Sequence, residues 1–165
     1  MLVRTRAVEA DLPALAAHYD EPDVRRYLWD DQRVGLAEVT ALLAASDESF
    51  EAGGFGLWCL READGGPIVG TVALREVEDH PGRVEVMYSL APSHWGRGLA
   101  TWAAREAVAF GLDVVGLAEV LGGADAPNVR SEAVLRRIGM TPIGVLRTGG
   151  TDVPFYSVSA STFLR

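Results

Sequence analysis

"YSLAPSHWGRGLAT", residues 88–101, carries a strand-like run into an arginine flanked by glycines and out into an alanine-rich helical run. A turn of this kind aims several backbone N–H groups at one point. Glycine permits the turn and a close approach, and the helix N-terminus adds partial positive charge. The stretch can therefore hold an anion without a basic surface, with Arg97 adding a charge-assisted hydrogen bond and Thr101 a hydroxyl. Taken alone, Gly96-Arg97-Gly98 serves equally as a tight turn before a helix. Its surroundings decide.

Upstream, "RVEVMYSL" (83–90) alternates as a strand. Val84, Val86, Tyr88 and Leu90 form a core face, while Arg83, Glu85, Met87 and Ser89 form a polar one. Before it, "FGLWCLREADGGPIVGTVALREV" (55–77) reads as two strands around Asp64-Gly65-Gly66, ended by "DHPG" (79–82). At the start, "LVRTRAV" (2–8) is a strand, Asp11 is placed to cap a helix over "LPALAAHY" (12–19), and "EPDVRRYL" (21–28) adds a helical turn. "GLAEVTALLAAS" (35–46) sets Leu36, Val39, Leu42, Leu43 and Ser46 at helical spacing. Downstream come a helix over 99–115 stopped by Gly116, a strand "LAEVLGG" (117–123) and a helix "NVRSEAVLRRI" (128–138) ended by Gly139. A hairpin over 141–161 closes the chain. The order is βααβββαβαββ. Its central strand–helix–strand unit predicts a parallel pair with a right-handed crossover inside a mixed α/β sheet.

At 165 residues, 48% of them apolar, the chain suits one domain spanning 1–165 with a core that needs no metal or disulfide. Its one cysteine, Cys59, reads as a small core residue in a reducing compartment. No apolar block suggests a signal peptide or membrane span, so the expected setting is the cytoplasm. The net charge is −8 and all 15 basic residues are arginine. Without lysine the P-loop signature is excluded, and the acidic balance argues against non-specific nucleic-acid binding. Cationic partners are weakly favoured. His18, His80 and His94 show no ligand spacing, and no metal site is expected; His94 reads as loop packing.

Two nucleotide readings compete for the loop. A dinucleotide turn wants G-x-G-x-x-G and an acid about 20 residues on. Glu119 lies near that distance, but Thr101 stands at the third glycine position and Pro92 interrupts the approach. The other reading is a resemblance. "EVMYSLAPSHWGRGLATWA" (85–103), followed by "APNVRSEAVLRRIGM" (126–140), resembles the GNAT acetyltransferases, in particular the RimJ/RimL-like ribosomal-protein N-acetyltransferase branch. Asn128, Ser131 and Gly139 match that branch's second motif in spacing. "VRRYLWD" (24–30), "GVLR" (144–147) and "DVPFYS" (152–157) extend the match along nearly the whole chain.

The resemblance implies a mixed, mostly antiparallel seven-stranded sheet with a splayed central parallel pair, flanked by helices. It implies acetyl-CoA as co-substrate, with its pyrophosphate at Trp95, Gly96, Arg97, Gly98, Leu99, Ala100 and Thr101 and its pantetheine along the strand edge at Tyr88 to Leu90. The main-chain N–H near Leu90 would face the thioester carbonyl, an oxyanion-type role. Ser131 would lie near the sulfur and give the leaving thiolate its proton. Many relatives use a tyrosine one turn later, where Leu135 stands here, which leaves Tyr156 as reserve. Asn128 would cap its helix and contact CoA at once.

A peptide α-amine, with a pKa of roughly 7.7–8.0, needs only a modest base, for which Glu85 is the first candidate and Asp152 the second. The implied acceptor is a primary amine, first of all a basic protein's N-terminus, and no nucleic acid or membrane is expected as partner. Small amines such as polyamines, amino acids or antibiotics form one alternative, and a silent acyl-CoA-binding module another. Trp102, Met140 and the turn "RTGGTD" (147–152) depart from the branch around the acceptor side. A homodimer is compatible with the sequence, which does not specify an oligomeric state.

Overall fold

Short apolar runs between turn residues form seven strands, and the longer periodic runs five α-helices, among the residues that the computed structural model describes, 2–125 and 127–164. Ala126, which opens the second motif, lies outside them, as do Met1 and Arg165. β1 (Val3–Arg6) is followed by α1 (Leu12–Asp20), α2 (Pro22–Leu28) and α3 (Leu36–Gly53). Next come β2 (Leu57–Arg61), β3 (Ile68–Val77), β4 (His80–Leu90), α4 (Leu99–Phe110) and β5 (Glu119–Gly123). The chain closes with α5 (Val129–Arg137), β6 (Thr141–Thr148) and β7 (Thr151–Ser159). Three helices separate β1 from β2, at the three helical stretches read from the sequence; the turn over 21–28, left out of the expected order, is a helix of its own.

The sheet runs β1-β2-β3-β4-β5-β7-β6. β4 and β5 are parallel, with Glu85 opposite Leu121, as the strand–helix–strand reading required. The pairs β1/β2, β2/β3, β5/β7 and β6/β7 are antiparallel. Gly149 and Gly150, both at positive φ, make the two-residue turn that sets Thr148 opposite Thr151. One turn departs from expectation. Asp79 takes a φ of 66°, so Glu78 and Asp79 close the hairpin and β4 already begins at His80, inside "DHPG". Aspartate tolerates the left-handed region, and the proline–glycine pair is absorbed into the strand.

Two local expectations are corrected. Asp11 makes no side-chain cap on α1; its carboxylate accepts the Val8 N–H at 3.1 Å and pairs with Arg61, an ionic partner stronger than an N-terminal amide. α3 continues past Ser46 to Gly53, and Leu36 is exposed at its first turn. Val39, Leu43 and Ser46 are buried as expected, and Ser46 Oγ accepts the Leu57 N–H at 2.8 Å. Cys59 is fully buried, and desolvation pushes its thiol up to about 12, in keeping with a packing role.

The chain divides into two compact units. The first comprises residues 1–73 and 88–100, the second residues 74–87 and 101–165, so the division falls within β3, β4 and α4. The core of the first is built from Leu15, Tyr19, Val39, Leu43, Leu57 and Cys59 with their neighbours. In the second, Val77, Leu121 and Phe155 pack with partly buried Leu146 and Val153. Each fully buried Leu, Val or Phe contributes roughly 1.5–3 kcal/mol relative to exposure.

Candidate active site

The glycine loop lies in the first unit. Ala91 N–H bonds Val69 O at 2.9 Å, continuing the register of β3 and β4, and a 3-10 turn over Pro92–His94 follows. Trp95 Nε1 then donates to Leu90 O at 2.8 Å, tying the loop back to the strand end. Gly96 and Gly98 sit at φ of 72° and 73° on either side of Arg97, and α4 begins at Leu99. An added Cβ at either glycine would meet no protein atom, so the space beside them is open to a ligand. Leu99 and Ala100 supply N–H groups of the first helical turn, which have no intrahelical acceptor. Thr101, the next residue, is counted in the second unit. Two left-handed glycines before a helix start fit a pyrophosphate by backbone alone. Arg97 lies 3.9 Å from Glu62 Oε1, and His94 bonds the same carboxylate at 3.1 Å and Ser93 Oγ at 2.9 Å.

The strand end beside this loop is crowded on one side. A Cβ at Gly70 would collide with Ser89 O and with Leu90, so β3 can approach β4 this closely only through glycine. Ser89 is buried, and its hydroxyl lies 2.7 Å from His18 Nε2 and 2.8 Å from Thr71 Oγ1, to which Tyr19 O–H donates at 3.0 Å. His18 is 7% exposed, and burial alone lowers its pKa from 6.5 to about 4. It also lines a groove of about 400 Å³, walled by Ala14, Ala17, Ile68 and Pro92, with Glu21 and Arg61 among its polar residues.

In the second unit, the sequence placed Glu85 on a polar strand face; at Glu85 that face is buried. Glu85 is 5% exposed, between Val84 and Val86, which are also buried. Val84 and Val86 point to one face of β4 and Glu85 to the other, and all three are buried, so both faces of the strand are covered there. Arg75 Nε donates to Glu85 Oε1 at 3.0 Å. Desolvation raises the Glu85 pKa above the usual 4.5, and the Arg75 charge and hydrogen bond oppose the rise.

Asn128 caps α5 as expected, its Oδ1 accepting the Ser131 N–H at 3.2 Å. Val134, Leu135 and Ile138 are buried, and Ser131, half-buried, stands at the margin of that stripe. Tyr156 is buried on β7 beside the Glu132–Arg136 ion pair of α5, with the Arg136 guanidinium 5.3 Å from its ring centroid. Burial first, then Glu132, raises the phenol's pKa above 10. Asp152 is exposed and bonded to Arg147 at 3.0 Å, which leaves its carboxylate in solvent.

Four features escaped the sequence reading: the His18–Ser89–Thr71–Tyr19 cluster, Glu62 as partner of the loop, Arg75 as partner of Glu85, and the Glu132–Arg136 pair. Leu15, His18 and Tyr19 share one buried helix face, which hinted at an interior histidine. Thr71 and Ser89 lie on different strands, and no local spacing joins them to α1.

The family pattern described as "Acetyltransferase (GNAT) domain" matches residues 2–141. An uncharacterised N-acetyltransferase, YoaA of Bacillus subtilis (strain 168), is 21% identical over 146 residues, covering 88% of this chain and 82% of that protein. The crystal structure of ribosomal-protein-S5-alanine acetyltransferase from Vibrio fischeri superposes with a TM-score of 0.79 at 16% identity, covering 99% of this chain and 96% of that one. Spermidine N-acetyltransferase from Vibrio cholerae, solved with CoA and spermine, gives a TM-score of 0.79 at 17% identity, covering 99% and 98%.

Proposed function

We propose, from the premise that this chain belongs to the GNAT acetyltransferases and is an acetyl-CoA-dependent N-acetyltransferase, that its acceptor is a peptide or protein N-terminal α-amine. The family match runs through both compact units, which supports one acetyltransferase domain acting as a whole. The observation that carries the site assignment is the pair of left-handed glycines before α4, a cradle for pyrophosphate without lysine. Acetyl-CoA supplies an acyl group activated as a thioester. Trp95 to Thr101 and Asn128 would hold the coenzyme, and the backbone at Tyr88 to Leu90 would align it, the Leu90 N–H stabilising charge on the thioester oxygen.

Glu85, whose raised pKa brings it closer to neutral, takes a proton from the attacking amine, directly or through water. The Ser131 hydroxyl gives its proton toward the departing sulfur and is reprotonated from solvent. Tyr156 is the reserve donor, although its raised pKa and its Glu132 neighbour hold its proton tightly.

The α-amine is favoured by the RimJ/RimL-like motifs and by the mild base that such an amine needs. The −8 charge suits a basic client, and the buried, reduced Cys59 suits the cytoplasm. A small polyamine is the second reading, because the spermidine enzyme shares the fold as closely as the ribosomal-protein enzyme does. A thiol-release assay with acetyl-CoA across Ser- and Ala-initiated peptides, polyamines and aminoglycosides separates them. With an α-amine acceptor, kcat/KM rises with pH and levels off near the amine's own pKa of about 8. A hundredfold higher kcat/KM for a polyamine or aminoglycoside than for any such peptide overturns the choice.

A further inference from the structure

The groove in the first unit contains one buried polar group whose hydrogen-bonding direction can be worked out. Tyr19 O–H donates to Thr71 Oγ1, and of the directions open to the Thr71–Ser89 and Ser89–His18 bonds only Thr71 to Ser89 to His18 Nε2 gives every hydroxyl proton of the chain an acceptor. Each hydroxyl then donates once, and Nε2 is the acceptor. A neutral imidazole with Nε2 as acceptor carries its hydrogen on Nδ1. His18 stays neutral because it is buried without a counter-charge in contact. Among the described residues no group of the protein bonds Nδ1, and the ring lines the groove. The hydroxyl chain therefore fixes a neutral N–H donor that faces the groove.

The other lining groups narrow the ligand. Arg61 is committed to Asp11 and to Gly66 O, so it is not a spare donor. Glu21 is exposed, and the rest of the named wall is small and apolar: Ala14, Ala17, Ile68 and Pro92. A ligand fitting this groove offers a hydrogen-bond acceptor beside a small aliphatic group. A protonated polyamine offers only donors, and seating it would leave the His18 N–H desolvated and unpaired.

We propose that the groove is the acceptor subsite for an amine that also carries a carbonyl, an aminoacyl group, with His18 Nδ1–H bonded to that carbonyl oxygen. This rests on the α-amine reading above and deepens it by naming the groove and the donor that recognise the carbonyl beside that amine. The amide-bearing arm of acetyl-CoA offers the same carbonyl chemistry, so the test separates the two sources.

Nitrogen-15 NMR of histidine-labelled wild type reads the tautomer directly and needs no turnover. The expected result is Nε2 unprotonated and Nδ1–H shifted by seryl-alaninamide but not by spermidine or CoA. His18→Gln reaches Ser89 from the Nε2 position but offers nothing at Nδ1. It should raise KM for seryl-alaninamide about three- to tenfold, the value of one neutral hydrogen bond, with kcat within twofold and KM for spermidine and acetyl-CoA unchanged. His18→Asn, which restores an N–H near Nδ1, should recover part of the loss. An Nε2–H tautomer, no shift with the dipeptide amide, or an equal KM rise for spermidine overturns the proposal. A shift with CoA, or a rise confined to acetyl-CoA, overturns it in favour of the coenzyme arm. If no amine is acetylated, the functional reading fails by itself, while the dipeptide-amide shift still reports on the groove.

Discussion

The two compact units carry their candidate groups in opposite ways. The first offers an anion cradle made by backbone conformation and a neutral imidazole held by hydroxyls. The second offers ionisable and hydroxylic side chains, two of them beside ionic partners: Glu85 with Arg75, and Tyr156 with Glu132 and Arg136. The contrast is visible along β4 itself, where Glu85 and Ser89 sit four residues apart. Buried Glu85 is balanced by a guanidinium, whereas buried His18, against Ser89, has only dipoles and so must stay neutral. Neutral donors and backbone suit binding; groups that gain or lose protons suit chemistry. The division predicts which kinetic constant each substitution moves.

The sharpest break concerns Ser131. If the second unit carries the proton transfers, Ser131→Ala lowers kcat by roughly 10²–10⁴ and leaves CoA affinity, by calorimetry, where it was. A kcat within twofold of wild type moves the role to Tyr156 or to water, and Tyr156→Phe then becomes the damaging change. A large loss of CoA affinity instead would make Ser131 a binding residue and erase the division.

Next in size is the acid sensitivity that a neutral buried histidine imposes. The folded-state pKa of His18 is about 4 against 6.5, so as pH falls the unfolded chain takes up the proton first. The contribution is intact above about 6.5 and lost between there and about 4. At about 1.4 kcal/mol per unit, the loss amounts to roughly 3 kcal/mol. Urea unfolding of wild type and His18→Gln at pH 7.5 and 4.5 isolates it from every other group, since those are common to both proteins. Parallel pH dependence in the two proteins would show that His18 tolerates its charge, and with it the neutral-donor picture would fall.

How legible these regions were follows from the range of the contacts that make them. The glycine loop, the Asn128 cap and the Gly149-Gly150 turn are coded within a few residues, so turn chemistry reaches them, and the parallel β4–β5 pair, though distant in sequence, follows from the strand–helix–strand order. Glu85 was legible as a candidate but not in its surroundings, since strand alternation names the face of a residue without saying what covers it. The His18 cluster joins α1, β3 and β4 across 71 residues of chain, and nothing in the spacing of Tyr19, Thr71 and Ser89 reports their meeting. Asp11 illustrates the reverse error: a capping signal was present, but a guanidinium 50 residues away took the carboxylate.

Gly98→Val tests the cradle. A branched residue at a φ of 73° costs about 1–2 kcal/mol in backbone strain, and its side chain fills the open space where phosphate would approach. CoA affinity should fall about tenfold or more, with little change in KM for the amine. Equal affinity for CoA in wild type and variant would remove the pyrophosphate from this turn.

The smallest effect is the one that separates backbone from side chain within that turn. Glu62 is the carboxylate nearest Arg97 and it also holds His94, so an arriving pyrophosphate must share Arg97 with a negative charge already in place. Both Arg97 and Glu62 are more than half exposed, which keeps the competition within the 0.2–1 kcal/mol of an exposed pair. Glu62→Gln should therefore tighten CoA about two- to threefold at low salt, and the gain should vanish near 0.5 M salt, where charges are screened within several ångströms. Arg97→Ala in the Glu62→Gln background closes the cycle. If the gain disappears with the arginine, Glu62 acts by competing for it, and the affinity that survives both changes is the backbone's own. If Glu62→Gln weakens CoA instead, the carboxylate orders Arg97 for the phosphate, and the cradle then depends on side chains as the second unit does.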